Sequence, residues 1–214
     1  MELASYIDHT ILKADCTLKQ IETLCKEAKS NSFAAVCVPP YYVKDAVRLL
    51  EESGVKVATV VGFPMGYAHT PAKVEEVKRA VDEGADEIDV VVNICAIKNG
   101  NWSYVKNDIE SMTMAAHLRG KIVKIILETG LLKRTEIAEI CRLCNEVGVD
   151  FVKTSTGLNG SGASVDIVRF LKKNLNNSVK ICASGGIRDA AKAGKLVDAG
   201  AARLGSSSGL KLIK

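Results

Sequence analysis

The sequence predicts a closed (β/α)₈ barrel, an α/β fold in which eight parallel strands alternate with helices. Strand-like Val/Ile runs and helix-period segments alternate roughly every 25 residues along the whole chain. The strand segments are continuous runs of apolar residues, which is typical of parallel strands that are covered on both faces. No G-x-G-x-x-G follows the first strand, a motif that would favour the alternative, an open doubly wound sheet. We therefore expect residues 1–214 to form a single barrel domain.

Eight segments carry the strand pattern, and helical signals separate them. The first helix opens on the capping box Thr17-x-x-Gln20, the helix before strand four opens on Thr70 and ends at Gly84, and the helix after strand five ends at Gly148. The expected strands are 5–10, 33–38, 56–62, 85–93, 122–129, 149–155, 179–184 and 201–205.

The amino-acid composition argues against several kinds of partner and binding site. The net charge of +4 is spread along the chain without basic runs, so neither nucleic acid nor a membrane is an expected partner. The seven cysteines form no disulfide framework, which suggests reduced thiols and a cytoplasmic location. We expect Cys37 to be a thiol buried in the core. No spacing joins His9, His69 and His117 as metal ligands, so a metal site is not expected.

The segment FVKTSTG (151–157) places Lys153 in an apolar run at the end of strand six. Burying an ammonium is unfavourable unless it is paired or loses its proton. A lysine is protonated at neutral pH, but desolvation and a second cation can lower its pKa to roughly 7–8. We expect such a neutral amine here, equipped to form an imine with a carbonyl substrate.

Alternation along the strands places the polar side chains inside the barrel. The Val/Ile/Leu sets of strands four, five and seven must face the helices, so their partners face inward. We expect convergence of Asp89, Lys124, Glu128, Lys153 and Lys180. A space-filling ion network is the alternative, although polar groups at the C-terminal strand ends of such barrels usually serve chemistry. Asp8 and Lys13 lie at the mouth of strand one, where they position substrate or stabilise a turn.

Small residues follow strands seven and eight, in ASGGIR (183–188) and RLGSSSG (203–209). Loops of this kind commonly form the phosphate cradle of a (β/α)₈ barrel, because glycine lets backbone N–H groups approach the oxyanion. The alternative is a pair of tight turns that need glycine only for its conformation.

Six ordered blocks resemble the deoxyribose-phosphate aldolases, a class I, Schiff-base, metal-free family. They are IDHTILK (7–13), AVCV (35–38), GFPMG (62–66), EIDVVVN (87–93), FVKTSTG (151–157) and ASGGIR (183–188). The resemblance implies reversible cleavage of 2-deoxy-D-ribose 5-phosphate to D-glyceraldehyde 3-phosphate and acetaldehyde, without a cofactor, in deoxyribonucleotide catabolism. It implies Lys153 as the imine-forming lysine and Asp89 as the proton relay, and it matches Gly185, Gly186, Ser207 and Ser208 to the phosphate loops.

The sequence departs from the family at one position. The family's strand-seven lysine directly precedes Ala-Ser-Gly-Gly, and Cys182 occupies that place here. Lys180 lies two residues earlier on the same face, about 6.6 Å along the strand. We expect Lys180 to substitute, so that Lys180→Ala cripples activity. The alternatives are Lys124 as the second cation, or an altered activity.

Two other functions remain open from the sequence. One is a different phosphate-binding barrel enzyme, an isomerase or decarboxylase, and the other is a degenerate barrel that binds a sugar phosphate without turnover. A homodimer or a homotetramer is the assembly considered, and the sequence does not choose between them.

Overall fold

The computed structural model describes residues 3–213 and confirms the (β/α)₈ barrel. Eight parallel strands pair in sequence order, and the last pairs with the first, so the sheet closes. They are β1 (Ile7–Thr10), β2 (Ala35–Val38), β3 (Lys56–Val61), β4 (Glu87–Val91), β5 (Ile122–Ile126), β6 (Phe151–Lys153), β7 (Lys180–Ser184) and β8 (Arg203–Ser206). Every strand lies within a segment that the sequence predicted, except that β8 extends to Ser206, one residue beyond its segment.

Helices follow the strands and cover the outside of the barrel. They are α1 (Leu18–Ser30), α2 (Val43–Leu49), α3 (Thr70–Asp82), α4 (Ile94–Lys98), α5 (Trp102–His117), α6 (Arg134–Val147), α7 (Val165–Asn174), α8 (Ala190–Asp198) and α9 (Gly209–Leu212). The predicted box at α1 is present, since the Thr17 backbone N–H donates to Gln20 Oε1 at 2.8 Å. Gly148 ends α6 with φ 78°, a conformation that glycine adopts without steric penalty.

Several strands are shorter than predicted because the chain turns at their ends. A 3₁₀ turn, Ala4–Tyr6, precedes β1, and a second one, Thr129–Leu131, follows β5. Strand β5 ends before Glu128, which has a left-handed backbone (φ 56°, ψ 57°) that breaks a strand. A prediction based on the apolar pattern alone continues the strand through such a residue, because the pattern carries no information on the backbone conformation.

The barrel has an apolar outer layer and a divided interior. Outward side chains such as Ile88, Val123 and Ile181 belong to the main hydrophobic core under the helices. Inside, Cys37 of β2 and Ala58 and Val60 of β3 form a small apolar cluster, while β1, β4, β5, β6 and β8 contribute charged side chains. The register places Asp89 opposite Lys124, Ile126 opposite Lys153, and Lys153 opposite Cys182. Sheet pairing therefore places Asp89 beside Lys124, and Lys153 two residues further toward the C-terminal ends of the strands.

Across residues 3–213, none of the helices has both the length and the apolar character needed to cross a lipid bilayer.

Candidate active site

Lys153 is the last residue of β6, and its side chain points into the barrel. It is only 3% exposed, and its Nζ donates to Asp89 Oδ2 at 2.5 Å. Asp89 lies in the middle of β4 and is fully buried. The two residues that the sequence selected as imine-forming lysine and proton relay are thus in direct contact.

Lys124 on β5 is the second cation beside Asp89. Its Nζ is 2.7 Å from Asp89 Oδ1 and 2.6 Å from Glu87 Oε2, and it lies 3.7 Å from Asp8 Oδ2. The Lys124 side chain has no exposed surface. Asp89 therefore bridges two lysines, with one carboxylate oxygen on each.

Arg203, the first residue of β8, extends this network and was missed by the sequence analysis. Its Nε donates to Asp8 Oδ1 at 2.6 Å, and its two terminal nitrogens each lie 3.1 Å from an oxygen of Glu87. Strand alternation carries the signal that could have found it, because Leu204 belongs to the outer core and Arg203 must then face inward. Three carboxylates (Asp8, Glu87 and Asp89) and three cations (Lys124, Lys153 and Arg203) form one buried cluster.

The electrostatics of the cluster correct one expectation from the sequence. Burial alone lowers the pKa of Lys153, but the Asp89 carboxylate outweighs it, and the pKa lies above the ordinary lysine value. Burial likewise opposes ionisation of Asp89, yet Lys124 and Lys153 hold the pKa of Asp89 at about 2. The expected lowered pKa of Lys153 is therefore wrong for this state. The resting pair is ammonium and carboxylate.

Lys124 and Glu87 are charged for the same reason. Burial lowers the pKa of Lys124, but Asp89, Asp8 and Glu87 raise it well above its usual value. Burial raises the pKa of Glu87, and Lys124 and Arg203 more than reverse that effect. Full ionisation leaves the six groups with no net charge.

Two buried thiols border the cluster. Cys37 Sγ is 4.0 Å from Asp89 Oδ2, and Cys182 Sγ is 3.7 Å from Asp8 Oδ2. Burial raises the pKa of both thiols to about 12. Both are therefore protonated at neutral pH and lack the thiolate character that reactive cysteines need.

Lys180 does not join the group that the sequence brought together. It opens β7 opposite Phe151, at the N-terminal end of the barrel, with an exposed side chain whose Nζ lies 5.7 Å from the centre of the Phe151 ring. Because Lys180 lies two residues before Cys182 on β7, it is farther from the C-terminal mouth of the barrel, and its side chain is exposed to solvent. A catalytic role for Lys180 stays a prediction, and the geometry favours Lys124 as the second cation.

Glu128 also lies apart from the charged cluster. Its carboxylate accepts hydrogen bonds from Thr156 in the loop after β6 rather than from a lysine. Burial raises the pKa of Glu128, against hydrogen bonds from Thr156 and Asn159 that lower it.

A cavity of about 300 Å³ opens at the C-terminal mouth above Lys153. The loops after β7 and β8 line it with Gly185, Gly186 and Ser207, and Lys13 and Arg188 add cationic side chains. Ser206, which the sequence analysis did not select, also lines the cavity, and its Oγ donates to the Ile187 carbonyl at 2.7 Å. Ser208 is not among the lining residues; its backbone N–H donates to Ser206 Oγ at 3.0 Å and so closes the turn.

Gly205 provides the space beside the Lys153 amine. A Cβ at this position would lie 2.9 Å from Ser184 Cβ and 3.6 Å from Lys153 Cε. Any side chain would therefore fill the approach to the amine. The cavity thus joins a buried lysine–carboxylate pair to a loop surface suited to an oxyanion.

Within residues 3–213 no cluster of three or more His, Cys, Asp or Glu side chains has an arrangement that could hold a metal ion. His9 instead lies outside the barrel interior, with Nε2 2.7 Å from Glu27 Oε2 and its ring edge-on to Phe33.

Residues 3–214 match the model of the family described as DeoC/LacD family aldolase. Among curated proteins, a deoxyribose-phosphate aldolase from Bdellovibrio bacteriovorus is 47% identical over 214 residues, which cover 100% of this chain and 96% of that protein. One from Desulfitobacterium hafniense is 48% identical over 213 residues, 100% of this chain and 98% of that protein. Among solved structures, a tetrameric deoxyribose phosphate aldolase from Aeropyrum pernix is 32% identical, with a TM-score of 0.92, over 99% of this chain and 89% of its own.

Proposed function

The chain belongs to the DeoC/LacD family of aldolases, and we propose that it cleaves 2-deoxy-D-ribose 5-phosphate reversibly through an imine on Lys153. The products are D-glyceraldehyde 3-phosphate and acetaldehyde. One observation carries the proposal: the buried Lys153 amine contacts Asp89 at 2.5 Å directly beneath a cavity with phosphate-type loops. Curated relatives near 47% identity over the full chain bear the name deoxyribose-phosphate aldolase.

Imine formation begins with proton transfer within the Lys153–Asp89 pair. As the substrate aldehyde enters, Asp89 takes a proton from the ammonium, and the free amine adds to the carbonyl carbon. The protonated Asp89 then returns its proton to the carbinolamine hydroxyl, which leaves as water. The result is a protonated imine beside an ionised Asp89, with the same total charge as before.

Carbon–carbon cleavage uses the protonated imine as electron acceptor. A base removes the proton of the third-carbon hydroxyl, that oxygen forms the aldehyde of glyceraldehyde 3-phosphate, and the electron pair of the bond between the second and third carbons moves into the imine. The enamine that remains is protonated on carbon and hydrolysed to acetaldehyde and the free lysine. Asp89, directly or through water, is the carboxylate placed to move these protons.

The raised pKa of Lys153 is consistent with this chemistry. Around position 153 the cluster holds three carboxylates and two further cations, so it favours a positive charge there. A protonated imine carries that charge and is the form that withdraws electrons. The same electrostatics oppose the free amine, which is why the local proton acceptor, Asp89, is needed.

We assign the phosphate group to the loops after β7 and β8, with Gly185, Gly186 and Ser207 supplying N–H and hydroxyl donors. Ser208 contributes by fixing the turn through its bond to Ser206. Lys13 and Arg188 line the same cavity and add charge attraction for a dianion. The reaction as written requires no metal or organic cofactor.

The decisive experiment is reduction with borohydride in the presence of deoxyribose 5-phosphate, followed by peptide mass analysis. An imine leaves a permanent adduct on the peptide that contains Lys153, and Lys153→Ala leaves none. A coupled assay for glyceraldehyde 3-phosphate measures turnover alongside it. Product release without an adduct would favour another phosphate-binding barrel enzyme, and binding without product would favour a barrel that has lost turnover.

We also propose that residues 1–214 form one domain, that the protein acts in the cytoplasm without nucleic-acid or membrane partners, and that it assembles as a homo-oligomer. The closed sheet with a continuous outer core supports the first point. The tetrameric relative from Aeropyrum pernix supports the last, and light scattering of the purified chain tests it.

A further inference from the structure

Glu128 is a buried acid that the reaction described above does not use. It lies two residues after the C-terminal end of β5, fully buried, in a left-handed backbone conformation that residues other than glycine rarely adopt. Within residues 3–213 its carboxylate makes no ion pair, and burial raises its pKa. Each of these features is unfavourable by itself. A residue that combines them is expected to make compensating contacts.

Those contacts go to the start of the loop after β6. The Thr156 backbone N–H lies 3.3 Å from both Glu128 oxygens, and the Thr156 hydroxyl donates to Oε2. The Leu158 N–H in turn donates to Thr156 Oγ1 at 3.1 Å. The carboxylate therefore orders a chain of donors that runs into the loop.

This loop, residues 156–160, forms one wall of the substrate cavity. It begins three residues after Lys153, and Thr156, Gly157 and Leu158 line the cavity. At its tip, Asn159 Nδ2 donates to the Pro64 carbonyl at 3.2 Å, so the loop reaches the segment that follows β3.

A second contact joins the segment after β5 to this loop. A Cβ on Gly130 would lie 2.6 Å from the Ser161 backbone nitrogen. The two segments are thus packed backbone to backbone, and Glu128 is the side chain that links them.

We propose that Glu128 is a positioning residue that holds the 156–160 loop as the wall against which the phosphorylated substrate binds. The inference rests on the proposed aldolase function. Glu128 acts through Thr156 and does not touch the reacting atoms. Its loss is therefore expected to weaken substrate binding, while imine formation on Lys153 with a small aldehyde persists.

The test compares Glu128→Gln with the parent and with Glu139→Gln, a helix-surface control. Glutamine keeps the size but offers only one acceptor oxygen, so Glu128→Gln should raise KM for deoxyribose 5-phosphate about tenfold or more. Borohydride trapping of Lys153 with acetaldehyde should stay near the parent value. Hydrogen exchange of the 156–161 amides should accelerate in Glu128→Gln and remain unchanged in Glu139→Gln.

Thr156→Val supplies the second arm, because it removes the hydroxyl from the other side of the contact. If the two residues act as one unit, the double variant raises KM little more than either single variant. An unchanged KM together with unchanged exchange would overturn the proposal, as would parallel losses in trapping and turnover, which indicate a general structural defect. Failure of the parent chain to form any adduct counts instead against the imine mechanism, and the exchange measurement still tests the positioning role.

Discussion

Replacing Asp89 with asparagine separates the two effects that the carboxylate has on Lys153. Asparagine keeps the shape of the side chain but removes the charge 2.5 Å from the Lys153 amine. At an effective dielectric constant of about 20, a charge pair at that distance contributes roughly 6–7 kcal/mol. This corresponds to about five pKa units, at roughly 1.36 kcal/mol per unit. Burial and Lys124, which both lower the pKa of Lys153, remain in the variant.

The expected result is a more nucleophilic lysine in a nearly inactive enzyme. In Asp89→Asn the midpoint of the pH dependence of acetaldehyde–borohydride trapping moves down by several units, because the charge that stabilises the ammonium is removed. Turnover of deoxyribose 5-phosphate falls by about 10²–10⁴, the usual contribution of a general acid–base group. The coupled assay and the trapping rate are each measured from pH 5 to pH 10, where trapping of the parent should still be rising at the upper limit and the midpoint of Asp89→Asn should fall inside the range.

Asp45→Asn is the matched control, since Asp45 makes a surface ion pair with Arg48 at 3.2 Å. It should leave both pH profiles unchanged. The reasoning is refuted if Asp89→Asn turns over like the parent, or if its trapping midpoint stays in place or moves to higher pH.

Three further predictions follow from the charged cluster. Lys180→Ala should keep nearly the parent kcat/KM, because the Lys180 side chain is exposed over Phe151 at the far end of the barrel; a large loss in the coupled assay would restore the catalytic role inferred from sequence. Cys182→Lys adds a fourth cation to the buried cluster of three carboxylates and three cations. The trapping midpoint of Lys153 should therefore fall, and the melting temperature should drop. An unchanged midpoint would show that a charge at position 182 does not interact with Lys153. The folded pKa of Asp89, about 2, lies below the ordinary value. Asp89 should therefore contribute to the free energy of unfolding by about 2–3 kcal/mol, a contribution that is present above about pH 4 and is lost as the pH falls toward 2. Denaturant unfolding of the parent and of Asp89→Asn over that range should show a steeper loss of stability with acid in the parent.

The strand pattern already contained most of the site. Alternation along β4, β5 and β6 identified Asp89, Lys124 and Lys153 as inward-facing, because each strand has an apolar partner set that must pack under the helices. The same logic applied to β8 would have found Arg203. This alternation depends only on residues that are neighbours in the sequence, so it can be recognised without knowledge of the fold.

Distances between side chains on different strands could not be predicted from this alternation. Lys180 has the correct alternation but lies at the wrong end, because strand parity fixes the face of a side chain and not its height. Glu128 was grouped with the lysines, yet its left-handed backbone turns the chain and gives its carboxylate to Thr156. A local break in the strand is invisible to an apolar pattern.

The sequence by itself determined the eight-unit barrel, the family and the lysine that we propose as the imine-forming residue, since these depend on period and on residue types at fixed spacing. Only the tertiary structure decided the charge state of Lys153. Burial favours a neutral amine and the contact with Asp89 favours an ammonium, and the balance depends on a separation of 2.5 Å between residues 64 positions apart. Coulomb energy varies with that distance, and the distance is set by the closure of the barrel.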